Sequence, residues 1–198
     1  MNLKERIQKD NIPVDENFFS NIQKFKEQLH KWNKIHNLTG AKNEEIMDNF
    51  IHDAVYPLKF LNENINSILD IGTGAGFPGM ILAIARPNIS ITLVEPLQKR
   101  ASFLQFVKAD IGLKRVDVQM KRAEDLSKRE VDLVTSRAVT DTKLLLEISK
   151  NLVNKDSQYL FYKGEKVFDE VKDIVEGLIC EVIETEKRHY LLIQYIDG

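Results

Sequence analysis

The stretch Leu69–Gly79, LDIGTGAGFPG, constrains the fold of this chain more than any other feature. An apolar run at Ser67–Ile71 leads into alternating glycines, and a helical pattern begins at Gly79. Glycines in such a turn let the backbone take positive φ and let a ligand approach the main chain closely. Pro78 suits the start of a helix, where its missing N–H costs nothing. The stretch therefore predicts a ligand site at the carboxyl end of the first strand of an open α/β sheet.

Short β-branched runs alternate with helical segments through the rest of the chain. The predicted strands are Ser67–Ile71, Ile89–Val94, Val116–Met120, Val131–Thr135 and Tyr159–Tyr162, and the predicted helices are Gly79–Arg86, Gln98–Ile111, Thr142–Leu152 and Lys166–Gly177. This alternation predicts a parallel sheet with helices on both faces. Two consecutive strands, Ile179–Thr185 and His189–Ile196, follow without a helix between them, and they predict an antiparallel hairpin at one edge.

The N-terminal third has a helical pattern. One helix face is formed by Phe18, Phe19, Ile22, Phe25, Leu29 and Trp32, which recur at three- and four-residue steps. Asn37–Gly40 favours a turn, and Glu44–Leu61 predicts two short helices that meet near Pro57. We therefore expect a helical extension over residues 1–62 and an α/β domain over residues 63–198, together forming one compact unit.

Composition excludes several classes of protein. The chain has 198 residues, of which 43% are hydrophobic and 29% charged, as in ordinary globular domains. Its single cysteine, Cys180, excludes a disulfide framework, and its four histidines lack metal-ligand spacing, so we expect no metal site. No apolar run reaches the roughly 20 residues that a bilayer requires, and the N-terminus lacks a signal sequence, so we expect a cytoplasmic protein.

Three further positions at strand ends are candidates for binding a nucleotide-like ligand. Glu95 follows the second strand, 23 residues after Gly72, where a carboxylate can accept hydrogen bonds from both ribose hydroxyls. Ala123-Glu124 follows the third strand, where an adenine edge would lie, and Arg137 follows the fourth. The glycine spacing departs from the G-x-G-x-x-G dinucleotide fingerprint. These residues fit nicotinamide and S-adenosylmethionine cofactors alike.

Charge is unevenly distributed along the chain. Residues 97–129 hold nine Lys or Arg against four acids, whereas residues 165–187 hold three Lys against eight acids. The basic stretch is either a solvated helix face or the contact surface of an anionic partner.

Residues 30–195 resemble the small-subunit ribosomal RNA guanine-N7 methyltransferases, a family also called glucose-inhibited division protein B. The resemblance is carried by Trp32-Asn33-Lys34-x-x-Asn37-Leu38-Thr39, Asp70-Ile71-Gly72-Thr73-Gly74-Ala75-Gly76-Phe77-Pro78-Gly79, Glu95, Lys99-Arg100, Phe103-Leu104, Ala123-Glu124, Ser136-Arg137-Ala138, Lys163-Gly164 and Arg188-His189. It implies a class I S-adenosylmethionine-dependent methyltransferase: a Rossmann-like seven-stranded sheet with its last strand antiparallel, preceded by a helical extension. It also implies guanine 527 (ribosomal RNA numbering) of 16S RNA, free or in the small ribosomal subunit, as the methyl acceptor.

The resemblance implies contacts to the donor, while the charge pattern and the chemistry of the acceptor suggest the remaining roles. Contacts to S-adenosylmethionine are expected from Asp70, Gly72, Gly74, Phe77, Glu95, Ala123, Glu124 and Arg137. Contacts to RNA are expected from Lys99, Arg100, Lys121, Arg122, Lys163 and Arg188. Arg137 and Lys163 are expected to orient the reacting groups, with no general base and no metal. An aromatic side chain, such as that of Phe77 or Tyr162, is expected to stack on the target base.

Other interpretations remain at this point. His52 stands two places away from the histidine of the family pattern, which leaves its role open. The alternatives to a methyltransferase are an NAD-dependent oxidoreductase and a non-catalytic RNA-binding module on the ribosome. We expect a monomer with no membrane association.

Overall fold

A seven-stranded sheet forms the centre of the protein. The structure, a computed structural model, describes residues 1–137, 139–172, 174, 177–186 and 188–196. The strands are β1 (Ser67–Ile71), β2 (Ser90–Val94), β3 (Val116–Gln119), β4 (Leu133–Arg137), β5 (Gln158–Lys163), β6 (Leu178–Glu184) and β7 (His189–Tyr195). Their order across the sheet is β3-β2-β1-β4-β5-β7-β6. The first five strands run parallel, and β7 lies antiparallel between β5 and β6. The predicted seven-stranded α/β fold with an antiparallel last strand is confirmed.

The helices follow the predicted order, with small differences at their ends. They are α1 (Leu3–Lys9), α2 (Phe18–His36), α3 (Glu44–Val55), α4 (Gly79–Ala85), α5 (Gln98–Ile111), α6 (Thr142–Ser149) and α7 (Val167–Lys172), with 3-10 turns at Tyr56–Lys59 and Ala123–Asp125. Positions 173, 175 and 176 of the predicted helix Lys166–Gly177 lie outside the described residues, as does Ala138 of the Ser136-Arg137-Ala138 sequence. The sequence did not predict α1, whose buried face consists of only Leu3 and Ile7.

Side chains of the central strand β1 point alternately to the two faces of the sheet, and each face has its own apolar core. Ile68 packs in one apolar cluster with Phe18, Phe25 and other residues of the N-terminal helices. Leu69 and Ile71 point to the opposite face and pack in a second cluster, which includes residues of α6. The N-terminal helices thus supply much of the helical layer on one face of the sheet, with α2 packed against α4 and α5.

Strand register brings the predicted site residues to one edge. Ile71 pairs with Val94 of β2 and with Ser136 of β4, so the parallel strands β1, β2 and β4 end side by side. Residues that directly follow these positions therefore converge at their carboxyl ends. In the part of the chain that the structure describes, no helix is long and apolar enough to cross a membrane.

Candidate functional site

The glycine-rich turn after β1 leaves no room for larger residues at three of its positions, Gly72, Gly76 and Gly79. Gly72 has φ +67°, and a Cβ atom there would lie 2.5 Å from Cγ2 of Val139. A Cβ on Gly79 would lie 2.5 Å from Oδ2 of Asp70 and 2.4 Å from a methyl of Leu93. Gly79 instead donates its N–H to Asp70 Oδ2 at 2.8 Å, which fastens the start of α4 to β1. The turn is therefore held tightly against β1, with its main chain available to a ligand.

Glu95 connects this turn to β2. Its carboxylate is only 3% exposed, and each oxygen accepts a backbone N–H: Oε2 from Gly74 at 3.0 Å and Oε1 from Leu97 at 2.9 Å. Nη1 of Arg100 lies 3.8 Å from Oε2. A carboxylate oxygen has two lone pairs, so each oxygen can still accept a hydroxyl from a ligand. The position therefore suits the predicted ribose contact.

A cavity of about 600 Å³ opens beside the turn. Its lining includes seven of the eight residues predicted to contact a donor: Gly72, Gly74, Phe77, Glu95, Ala123, Glu124 and Arg137. Arg100 and Arg122, predicted as RNA contacts, line the same cavity. Leu38, Thr39 and Gly40 of the N-terminal extension line it as well, and none of these three was predicted as a site residue. We call this space the donor cavity.

Asp70, the eighth predicted residue, lies beneath the turn. It is fully buried, and burial raises the pKa of its carboxyl to about 7, although Gly79 N–H, the nearby Thr73 hydroxyl and the charge of Arg137 lower it. Neither Asp70 Oδ1 nor Thr73 Oγ1 makes a well-directed hydrogen bond within the described residues. Buried polar groups ordinarily have partners. Thr73 lines the donor cavity, so a hydrogen-bonding ligand there would relieve the deficit at its hydroxyl.

Arg137, at the end of β4, lies against two aromatic rings that also contact each other. Its guanidinium carbon is 4.4 Å from the ring centre of Phe50 and 5.0 Å from that of Phe77. Burial, together with the positive charge of Arg188, lowers the pKa of Arg137 to about 10. Its Nη1 is buried without a partner among the described residues. The two rings therefore fix the guanidinium plane while one donor remains for a ligand, as an orienting role requires.

The unpaired atoms and the glycine turn fit S-adenosylmethionine. This donor combines an ammonium and a carboxylate with a ribose and an adenine. Glu95 can accept hydrogen bonds from its hydroxyl or ammonium groups, and Arg137 can pair with its carboxylate. The lining at Ala123 and Glu124 offers a backbone and a side chain to the adenine edge. These residues would hold the donor with its ribose toward β2.

A second cavity of about 480 Å³ lies beside the first, and Thr140 lines both. We call it the acceptor cavity. Lys163 lines it, is 8% exposed, and donates to Glu170 Oε2 at 2.7 Å and to the carbonyl of Thr140 at 3.2 Å. Arg188 also lines it, and its Nε and Nη2 donate to Asp53 Oδ2 at 3.2 and 3.0 Å. Two predicted RNA contacts thus meet next to the donor cavity.

The two residues named for the aromatic platform line the cavities, Phe77 the donor cavity and Tyr162 the acceptor cavity, but their rings are buried. The Phe77 ring is 4% exposed and packs edge-on against the rings of Phe25 and Phe50. Tyr162 is 2% exposed and donates its hydroxyl to the carbonyl of Ala54 at 2.7 Å. Both rings belong to the core because the N-terminal helices cover this face of the sheet.

The remaining predicted RNA contacts lie apart from the acceptor cavity. Lys99 donates to the carbonyl of His36 at 3.0 Å, and Arg100 Nε donates to that of Leu38 at 3.3 Å, so both contact the end of α2. Lys121 is half-buried and Arg122 is exposed, directly before the turn at Ala123. The structure therefore presents basic groups on two sides of the donor cavity.

His52 lies away from both cavities. Its Nε2 is 2.7 Å from Asp10 Oδ2, and burial, as the main cause, lowers its pKa. This contact joins α3 to the residue that follows α1. His52 thus has a structural contact within the extension. The described residues contain no group of three or more His, Cys, Asp or Glu placed to hold a metal ion.

Two comparisons with solved structures show the fold. A ribosomal-protein methylase from Lactobacillus delbrueckii subsp. bulgaricus superposes with a TM-score of 0.58 at 14% identity, over 75% of this chain and 79% of that one. The protein MtNAS in complex with S-adenosylmethionine superposes with a TM-score of 0.60 at 14% identity, over 87% and 73%. At this identity the similarity establishes the S-adenosylmethionine-dependent methyltransferase fold. It favours that fold over the oxidoreductase alternative.

Sequence comparison identifies the family. A protein from Wolinella succinogenes named ribosomal RNA small subunit methyltransferase G is 42% identical over 97% of both chains. One of the same name from Aliarcobacter butzleri is 40% identical over 97% of this chain and 98% of its own. The sequence profile of the family rRNA small subunit methyltransferase G matches residues 19–191. Because the match runs through the N-terminal helices as well as the sheet, the chain belongs to the rRNA small subunit methyltransferase G family.

Proposed function

We propose that the protein transfers a methyl group from S-adenosylmethionine to N7 of a guanine in 16S ribosomal RNA, with guanine 527 as the expected target. The observation that carries this proposal is the donor cavity, which gathers seven of the eight expected donor contacts within a family whose members are named for methylation of the small-subunit RNA. The proposed substrate also accounts for the expected cytoplasmic location.

The chemistry requires no proton to be removed before attack. N7 of guanine carries a lone pair and no hydrogen, and the donor supplies an electrophilic methyl on a sulfonium. The hydroxyls nearest the end of β4 are already engaged: Thr135 donates to the carbonyl of Leu160 at 2.8 Å, and Ser136 to that of Ile71 at 2.9 Å. These side chains therefore stabilise the sheet. Catalysis then rests on alignment of the two reactants.

Arg137 and Lys163 are the residues that this chain offers for alignment. Arg137 lines the donor cavity, and Lys163 lines the acceptor cavity and reaches the carbonyl of Thr140, which lies between the two. Fixed cations at this boundary can orient the donor carboxylate on one side and an RNA phosphate or the guanine O6 on the other. Arg188 adds a third cation to the acceptor side.

Four basic residues near the donor cavity would supply affinity for RNA. Arg100 and Arg122 line this cavity, and Lys99 and Lys121 directly precede them in the chain, whereas the acidic stretch begins after β5. Contacts to phosphates carry little sequence information, so they would hold the RNA while the unstacked base enters the acceptor cavity. We propose that the protein acts as a monomer on ribosomal RNA or on the small subunit.

Small subunits from cells that lack the gene provide the test. These subunits are incubated with the protein and S-adenosylmethionine, and N7-methylguanine is mapped by borohydride and aniline cleavage of the 16S RNA. A single new cleavage at guanine 527 supports the proposal. No cleavage, with donor binding intact by calorimetry, would show that another acceptor is used. Binding to the subunit without any donor binding would instead identify a non-catalytic module.

A further inference from the structure

Part of the donor cavity is built by the N-terminal extension. Its lining includes Leu38, Thr39 and Gly40. These residues belong to the connection after α2 and to no strand or helix. The helix α2 ends at His36, and Asn37 directly after it has φ +49°, so the chain turns sharply there. A short connection without ladder hydrogen bonds needs other contacts to hold one conformation.

Asn33 supplies two of these contacts. Its Oδ1 accepts the N–H of Thr39 at 2.9 Å, and its Nδ2 donates to the carbonyl of Thr39 at 3.1 Å. One side chain, fixed on the last turns of α2, thus binds both main-chain polar groups of a single cavity residue. Thr39 Oγ1 then accepts the N–H of Ala41 at 3.3 Å, which continues the ordering along the connection.

Arg100 links the same connection to the ribose side of the site. Its Nε donates to the carbonyl of Leu38 at 3.3 Å, and its Nη1 lies 3.8 Å from Glu95 Oε2. The side chain of Leu38 is 1% exposed, so it anchors the connection from below. The segment Leu38–Gly40 is therefore held from α2 by Asn33 and from α5 by Arg100, within the lining that includes Glu95.

We propose that Asn33 is a positioning residue of the donor site, which holds Leu38–Gly40 in place as a wall of the donor cavity and thereby sets the affinity for S-adenosylmethionine. The inference rests on the proposed donor. A wall that is ordered before binding spares the donor the entropic cost of ordering it, and so tightens binding. The hydrogen bonds of Asn33 go to Thr39 and not to Arg137 or Lys163, which are proposed to align the reactants, so the chemical step itself should not depend on Asn33.

The first test compares two substitutions of the same kind on one helix. Asn33→Ala removes both bonds to Thr39, and Asn21→Ala changes another half-buried asparagine of α2 that does not line the donor cavity. Alanine favours helix at both positions. By calorimetry with S-adenosylmethionine alone, we expect Kd to rise about tenfold for Asn33→Ala and less than about twofold for Asn21→Ala. At saturating donor, kcat and the KM for the small subunit should match the parent.

A second measurement reports on the wall directly. Amide hydrogen exchange at Thr39 in the donor-free protein should be faster in Asn33→Ala and unchanged in Asn21→Ala. Asn33→Asp keeps an acceptor for the Thr39 N–H but has no donor for the carbonyl, so its Kd should lie between those of Asn33→Ala and the parent. Thermal unfolding checks that the variants fold. If Asn33→Ala does not fold, Asn33→Asp is compared with the parent instead.

Three results separate the possible failures. If Asn33→Ala and Asn33→Asp both bind the donor as the parent does, the positioning role is wrong. If Asn21→Ala weakens donor binding as much as Asn33→Ala, the effect belongs to α2 as a whole and the role is also wrong. If the parent itself does not bind S-adenosylmethionine, the proposed function is wrong, and the proposed role of Asn33 is wrong with it.

Discussion

Replacing Glu95 with glutamine should damage the donor site more than the small change in shape suggests. The two carboxylate oxygens accept one backbone N–H each, from Gly74 and from Leu97. A glutamine amide has only one oxygen, and its NH2 group must face the other N–H. One of the two backbone donors would thus lose its acceptor, and the turn that carries Gly74 would lose part of its support.

The size of the effect follows from these bonds. A hydrogen bond to a charged group contributes about 1.5–3 kcal/mol, and a buried donor left unpaired costs about 1–3 kcal/mol. Glu95 is 3% exposed, whereas Gly74 is half-buried and Leu97 is exposed, so water can offset part of the cost of the unpaired N–H but not the loss of the bond to a charged acceptor. Glu95→Ala also removes the acceptor for the ribose hydroxyls. We therefore expect the donor Kd to rise about 10- to 150-fold for Glu95→Ala and by a similar factor for Glu95→Gln.

The assay is calorimetry with S-adenosylmethionine in the absence of RNA, with Glu63→Gln as the control. Glu63 is exposed and precedes β1, so it lies at the opposite end of that strand from the donor cavity. The control makes the same change of charge and should bind the donor like the parent. If Glu95→Gln also binds like the parent while folding normally, the assignment of Glu95 to the ribose contact is refuted.

Four further outcomes are expected. Burial raises the pKa of Asp70 to about 7, so between about pH 4 and 7 the folded donor-free protein holds a proton that the unfolded chain releases, and stability should fall as pH rises across that window. Asp70→Asn should flatten this fall in the thermal midpoint, and an unchanged slope would contradict the assignment. Single-turnover methylation at saturating donor should vary little between about pH 6 and 9, because N7 has no proton; a steep rise near pH 7 that one substitution abolishes would show that a general base exists. The double substitution Lys121→Ala/Arg122→Ala should reduce the log–log salt dependence of subunit binding by about 0.7–0.9 for each RNA phosphate that the variant no longer neutralises, whereas a parental slope would place the RNA elsewhere. Deleting residues 1–62 should give an aggregating product, since it uncovers the apolar face that includes Ile68; a monodisperse, folded fragment would show that the two parts are independent.

The sequence predicts those parts of the fold that depend on local pattern. The run at Ser67–Ile71, the glycine turn and the acid at Glu95 all lie where the alternation of strands and helices places them. Gln98–Ile111 forms a helix with the predicted bounds. The position of β7 between β5 and β6 could not be read from the sequence, because the predicted hairpin leaves open which of its strands pairs with the sheet.

The two rings named for the aromatic platform are buried for one physical reason. Phe77 and Tyr162 look like stacking platforms in the sequence because each follows or ends a strand near the predicted site. Both are buried instead, since residues of the N-terminal helices such as Phe50 and Ala54 contact them from far away in the chain. The same long-range packing places Phe50 against Arg137. The periodicity of one segment does not predict contacts between distant segments. It does predict local features, such as the end of a helix and the turn at Asn37.

Two cations of the acceptor cavity, Lys163 and Arg188, are paired, and this pairing separates orientation from affinity. A third, Lys166, is exposed. Lys163 uses two of its three N–H donors, on Glu170 and on the carbonyl of Thr140, and Arg188 uses two of its five, on Asp53. Each side chain keeps further N–H donors, and its partner fixes the direction in which they point. Because the neighbouring carboxylates offset their charge, they attract a polyanion weakly at a distance. Attraction must then come from exposed residues such as Arg122, while Lys163 and Arg188 orient an RNA group that has already arrived.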